Sequence, residues 1–143
     1  MKILHVLYQS LPNTAGSSIR SRDLINSQLK NGIVPIVITS PFQPPLDVDS
    51  KKENIDGVIY YRTFSNNGNE IVTEGNTSLF IQLKKIIKLV KFSRIVHEIA
   101  KKEKVQLIHA HAMFFCGFAA KYSSLKLNIP FIYEVRSLWE ETY

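Results

Sequence analysis

The chain holds a single cysteine, Cys116, among 143 residues. An internal disulfide is excluded, which fits a reducing compartment and leaves the fold to stand on its core. Long apolar runs are also missing: no window reaches the roughly 18 apolar residues that a spanning helix needs. The first run, Ile3 to Tyr8 behind Lys2, ends at Gln9 and Ser10 with no small-residue cleavage site after it, so it does not read as a secretory signal. A soluble or peripheral cytoplasmic protein is the expectation. Glycine and proline number only six each, and no internal repeat is present, which excludes collagen and low-complexity disorder.

What is present suits one globular domain. The composition is 45% hydrophobic, 21% charged and 10% aromatic in 16.4 kDa. A chain of this size buries about 70% of the surface that its unfolded form exposes. The net charge of +6 is concentrated: residues 79–104 carry eight basic and two acidic side chains, and the rest of the chain balances. One basic element does not make a general nucleic-acid-binding surface, so no nucleic-acid partner is expected.

Lys2 to Tyr8 reads as a buried parallel strand. Ser17 to Asn31 reads as a helix capped by Ser17 or Ser18, with Leu24, Ile25 and Leu29 inward and Gly32 at its stop. Ile33 to Ser40 is a second strand, with Pro35 placed near its start or at a sheet edge. Pro41 to Asp56 is a loop, Gly57 to Arg62 a third strand, and Phe64 to Ser78 a surface loop. A long helical stretch from Leu79 to about Glu103 precedes a strand from Val105 to Ala112. Met113 to Leu127 reads as a helix and Phe131 to Val135 as a fifth strand. This alternation predicts an α/β fold, a Rossmann-like doubly wound parallel sheet of about five strands.

In such sheets ligands sit outside the carboxyl ends of the strands, at the switch point. The residues following Tyr8, Thr39, Arg62, Ala110 and Val135 are therefore the candidates. After the first strand, QSLPNTAGSSIRSR runs into a helix start, where backbone N–H groups can meet an anion. A dinucleotide fingerprint needs G-x-G-x-x-G, and only Gly16 is there; an acidic ribose partner after the second strand is replaced by Ser40-Pro41. Arg20 and Arg22 read equally as surface charges.

After the fourth strand stand His109 and His111, which share a face. Metal ligation lacks a third ligand at a recognisable spacing, so no metal is expected. His109 suits a core role, while His111 at the strand end is expected to protrude into the cleft and donate a hydrogen bond. Glu134 and Arg136 share a face and either pair or flank the same cleft. Cys116 reads as a small buried hydrophobe, not a nucleophile.

On the basic helical stretch, Leu79, Leu83, Ile86, Leu89, Val90, Val96 and Ala100 form one apolar stripe. Lys84, Lys88, Lys91 and Lys102 lie opposite, with Phe92, Ile95 and Ile99 on the lysine side. Either the helix breaks near Phe92-Ser93 or a second apolar surface lies among the charges. Such a mixture suits an anionic membrane surface, against the plainer reading of a solvated face on a kinked core helix.

Three segments in order resemble the amino-terminal domain of GT4-type retaining glycosyltransferases of the two-domain GT-B architecture. They are MKILHVLYQSLPNTAGSSIRSRDLINSQLKNGIVPIVITSP, VQLIHAHAMFFCGFAA (similar to the family's D-V-I-H-x-H strand) and IPFIYEVRSLWEET. The resemblance covers nearly the whole chain. It implies an acceptor-binding domain facing a donor-binding one, with no cofactor and a nucleotide-sugar as substrate. Gly16, Ser17 and Arg20 then lie near the donor phosphates or transferred sugar. His111, as the catalytic residue, contacts the sugar near the reacting centre, and Glu134 and Arg136 face the same cleft. The family's double glycine appears here as Ala15-Gly16 and its strand-four Asp as Gln106.

The donor-binding motifs are absent before Tyr143. The chain is thus expected to be an acceptor-side half, inactive alone, from bacterial cell-surface polysaccharide or glycoconjugate synthesis. Its expected partners are a glycan or lipid-linked acceptor and an anionic membrane at residues 79–104. The alternative is a free-standing interaction module that acts through its basic helix or its open sheet edge, a homodimer being the partner expected at that edge. His111→Ala is expected to cut turnover with little loss of stability.

Overall fold

A computed structural model describes residues 1–43, 51–63 and 79–136. The expected loop residues 44–50 and 64–78, and the SLWEETY end, lie outside the described residues. The elements are β1 (Lys2–Leu7), α1 (Gly16–Lys30), β2 (Val34–Thr39), β3 (Lys52–Ile55), β4 (Val58–Arg62), α2 (Leu79–Glu103), β5 (Leu107–His111), α3 (Phe114–Leu127) and β6 (Phe131–Glu134). They form one six-stranded sheet in the order β3-β4-β2-β1-β5-β6. Every pairing is parallel except β3 with β4. The fold is α/β and Rossmann-like, as expected.

The extra strand is the main difference from expectation. Lys52–Ile55 (KENI) was assigned to a loop because its charges mask any apolar period. It folds back antiparallel on β4 through Asp56 and Gly57, both at positive φ, with Gly57 N–H donating to Asn54 Oδ1 at 3.0 Å. Being short and charged, it makes an edge that resists pairing. Pro35 is the second residue of β2 and sits near the strand start as expected, although β2 is interior.

Alternation along the strands builds two cores. Leu4 and Val6 of β1, Ile36 and Ile38 of β2, and Ile108 and Ala110 of β5 pack under α2 and α3 with Phe92, Val96, Phe115 and Cys116. Leu7, Val37, Val58 and Tyr60 face the other way, against Ile25 of α1. Helices therefore cover both faces. Because β1 lies between β2 and β5, successive crossovers diverge on either side of it, and the switch point falls between β1 and β5.

Two helix expectations change. In α1, the N-cap is Ala15 with no side-chain cap bond, not Ser17 or Ser18, because the helix starts a residue earlier at Gly16. Its buried face is Ser18, Ser21 and Ile25; Leu29 is largely exposed, so the inward stripe is narrower than its apolar residues suggest. α2 runs unbroken from Leu79 to Glu103, with no break at Phe92-Ser93. Its buried residues are Phe92, Ser93, Val96 and Ala100, all in the second half. Phe92 thus belongs to the core, while Leu79, Leu83, Ile86 and Val90 are exposed. The apolar stripe is real but only its end is covered. No helix among the described residues is long and apolar enough to cross a membrane.

This division predicts unequal costs along one helix. Phe92→Ala should lower unfolding free energy by roughly 3–5 kcal/mol, and Leu83→Ala by less than about 0.5 kcal/mol, as measured by urea titration. Equal losses would mean that the first half of α2 is packed after all.

Candidate functional site

At the switch point, a file of polar side chains crosses the α1 face of the sheet. His5 stands in the middle of β1, opposite His109 of β5, and His111 pairs in register with Glu134 of β6. All four project to the α1 side. The sequence reading missed His5, since one histidine inside Ile-Leu-His-Val-Leu looks like any member of an apolar run. Its partner Gln28 was also missed, being one polar residue on a helix.

The hydrogen bonds have one consistent direction. Arg136 is always a donor, so its Nη2, 2.6 Å from His111 Nδ1, makes that nitrogen an acceptor. His111 Nε2–H then donates to His5 Nδ1 at 2.9 Å. His5 Nε2–H in turn donates to Gln28 Oε1 at 2.7 Å. The rings of His109 and His111 stack with centroids 4.0 Å apart.

Burial keeps these imidazoles neutral. His5 is held down to about 4, chiefly by desolvation, against the raising effect of its bond to Gln28. His111 is pushed down to about 2, first by desolvation and then by His109, His5, Arg136 and Arg20. His109 is lowered too, again mainly by burial. The 3.0 Å approach of Glu134 Oε2 to His111 Nδ1 is therefore not an ion pair at neutral pH. Glu134 finds its charge partners in Arg20 and Arg136, each 3.1 Å from Oε1.

His111 does not protrude as expected. Its side chain is only 2% exposed, because Arg136 and Glu134 lie over it. Little loss of stability on His111→Ala is accordingly no longer expected: the change would leave a buried cavity and the His5 Nδ1 acceptor without its donor. His109 fits its expected core role, with its Nε2 buried and lacking a hydrogen-bond partner despite lying 3.3 Å from Glu134 Oε2.

Around this file the structure gathers Ser17, Arg20, Glu134 and Arg136. Arg136 Nη1 donates to the Ser17 carbonyl at 2.9 Å, and so ties the end of β6 to the first turn of α1. That carbonyl also accepts from Ser21 Oγ at 2.9 Å. Arg20 is 68% exposed and reaches over Glu134. Gly16 has an ordinary φ, and a Cβ built there would meet nothing within 4 Å. No side chain caps α1, and Ser18 N–H is already bonded to the Ala15 carbonyl at 2.9 Å, so Gly16 and Ser17 carry the open N–H groups of a positive helix end beside two arginines.

The loop before α1 is clamped from β4. Buried Arg62 donates from Nη1 to Ser10 Oγ at 2.5 Å and from Nη2 to the Leu11 carbonyl at 2.6 Å, and pairs with Glu53 at 2.9 Å. Gln43 Nε2 adds a bond to the Ser10 carbonyl at 2.9 Å. Across the site, Ala112 takes a left-handed φ of 64° directly after His111. Such backbone is costly for a residue with a Cβ. It is held by its N–H to the Glu134 carbonyl and by Tyr133 Oη donating to its own carbonyl, each 2.8 Å.

His5, His109 and His111 bring ligating atoms within 4.8 Å of one another, so the third histidine that sequence spacing lacked comes from another strand. Glu134 Oε2 lies beside two of them, but the existing bonds oppose a dication. It would have to displace the Arg136 guanidinium from His111 and break the bond between His5 and His111.

No family model matches the chain, and no curated protein matches it in sequence. Solved structures match in fold. Sucrose-phosphate synthase from Thermosynechococcus elongatus superposes with a TM-score of 0.62 at 16% identity, over 96% of this chain and 34% of that one. A glycosyltransferase from Rickettsia africae superposes with a TM-score of 0.54 at 17% identity, over 92% of this chain and 28% of that one. The C-terminal domain of the PF1911 hydrogenase from Pyrococcus furiosus does so at 0.57 and 10% identity, over 94% and 90%. The chain spans about a third of the first two. At these identities the likeness defines the fold alone, a Rossmann-like α/β domain.

Neutral buried histidines set a pH dependence. Above about pH 6.5 the imidazoles are neutral in both the folded and unfolded states and contribute no slope. Below it, the unfolded chain takes up protons that the folded site refuses, so stability falls as pH drops towards 4, by roughly 1.4 kcal/mol per pH unit for each of His5 and His111. His5→Asn should make the slope between pH 6 and 5 shallower by about that amount, as read from urea titrations. An unchanged slope would mean that His5 titrates normally.

Proposed function

We propose that the chain is the acceptor-side domain of a sugar-nucleotide-dependent glycosyltransferase, of the retaining GT4 type in the GT-B architecture. The observation that carries this reading is the convergence at the switch point. The exposed start of α1, Arg20, Glu134, Arg136 and His111 meet there from three separate elements. Nucleotide-sugars leave a diphosphate, whose growing negative charge needs fixed positive groups. The α1 N-terminus and Arg20 supply them, and Arg136 stands behind. The role of this domain is electrostatic and positional, with no nucleophile of its own.

His111 has the sugar contact in this reading. The geometry sets its condition: Arg136 Nη2 must leave Nδ1, which then offers a neutral acceptor to a sugar hydroxyl. Glu134, released from one arginine, keeps Arg20 in place. A second domain holds most of the donor, so this chain by itself binds nucleotide-sugars weakly and transfers nothing. The acceptor is a glycan or a lipid-linked glycan of bacterial surface polymer synthesis, met at the inner face of the membrane. The glycosyltransferase and the sucrose-phosphate synthase with the same fold favour sugar transfer over dinucleotide chemistry, as does the missing glycine fingerprint.

The test separates ligand contact from folding. In a protein that joins this domain to its donor-binding partner, His111→Asn should lower kcat roughly 100-fold while circular dichroism stays native. Gly16→Ala should weaken nucleotide-sugar affinity by roughly tenfold at an unchanged Tm, because the fold has space for the methyl group and only an approaching ligand would not. Unaltered kinetics in both variants would remove this crevice from catalysis.

A further inference from the structure

A cavity of about 470 Å³ opens on the other side of the strand ends, under the first half of α2. Tyr8, Phe42, Ile86, Leu89, Phe114 and Phe115 form its walls. Three of the aromatic rings interlock: Phe42 lies 6.0 Å from Tyr8 and 4.6 Å from Phe115, centroid to centroid. Ile86 and Phe114 stand 57% and 71% exposed at its mouth. Its volume is within the range of small-molecule sites.

Two properties specify the occupant. The walls offer almost no hydrogen-bonding groups, so they suit a hydrocarbon and not a bare glycan, whose hydroxyls would go unpaired. The rim is cationic. Lys85 is the charged residue among the lining, and no acidic side chain occurs between Leu79 and His97. Lys88 Nζ lies 5.8 Å above the Phe42 ring, which places positive charge against the wall itself. A concave pocket of this size admits a single chain, whereas a bilayer surface would meet only the exposed outer residues Leu79, Phe80 and Leu83.

We infer that this cavity binds the hydrocarbon chain of one anionic single-chain amphiphile, with a phosphate or diphosphate head paired to the α2 lysines. Its position ties it to the crevice. Tyr8 directly follows β1, and Met113, also in the lining, lies two residues beyond His111. A tail held here lies beside the strand ends from which the proposed transfer acts. The inference therefore rests on that reading for its purpose and narrows the acceptor to a lipid-linked one, but the binding itself does not depend on it.

The experiment titrates the 143-residue chain calorimetrically with octyl, decyl and dodecyl phosphate below their micelle concentrations. Inorganic phosphate and decyl glucoside are the controls. Each two-carbon step should tighten binding roughly tenfold. Decyl glucoside should bind more weakly than decyl phosphate, and the gap should close in Lys85→Glu while the chain-length dependence remains. Ile86→Glu and Phe114→Glu each place a carboxylate in the wall at an exposed position, and should weaken dodecyl phosphate at least tenfold with native circular dichroism.

Affinity independent of chain length, or inorganic phosphate matching decyl phosphate, would overturn the inference. Sedimentation with phosphatidylglycerol vesicles without binding of the monomeric amphiphiles would overturn it in favour of a flat membrane contact. Tight amphiphile binding beside unaltered kinetics in the crevice variants would leave the cavity standing and remove the sugar-transfer reading.

Discussion

The hydrogen bond between His5 and His111 joins the two strands that flank the switch point, and the polar architecture depends on its direction. An imidazole has one proton to give when neutral. With Gln28 accepting at one end and Arg136 donating at the other, His5 and His111 each have a single tautomer. Reversing one member would set two donors or two acceptors face to face in a buried place. The orientation of the nearly buried Arg136 is thus connected to an amide on α1 through two buried rings.

The same connection explains why Glu134 and Arg136 can carry charge with so little solvent around them. Glu134 is between Arg20 and Arg136, and Arg136 is also bonded to a main-chain carbonyl. A buried charge is stable when paired and hydrogen-bonded on its remaining sides. Arg62 follows the same rule on the far side of the β1–α1 loop, with Glu53, Ser10 and the Leu11 carbonyl as its partners. The loop is held from β4 and the helix start from β6. Its two ends are fixed by different strands, and the uncapped N–H groups lie between them.

Most of the fold was legible in local patterns. Strand and helix alternation announced the doubly wound sheet, and the strand-end rule selected Gly16, His111, Glu134 and Arg136 without any partner being known. What escaped depended on distant pairing. His5 has no local signature, because its meaning comes from a strand about a hundred residues later. KENI has no strand period, because its pairing with β4 comes from a turn at Asp56-Gly57. Projection of α2 identified an apolar stripe, but periodicity does not say which turns a neighbour covers; α3 and the sheet cover only the later ones. His111 was placed correctly at a strand end and its exposure was misjudged, since the cover comes from Arg136.

The bond from Arg136 to Ser17 spans 119 residues of chain. Contacts of such separation close the largest loops and come late in assembly. During synthesis β1, α1 and β2 emerge first and can pair among themselves, but the imidazoles of β1 and β5 stay open to water until β6 docks beside them. The crevice is thus the last part of the described domain to be completed. Its basic and acidic groups are brought together only in a chain whose sheet is already in register, so the finished site certifies the fold beneath it.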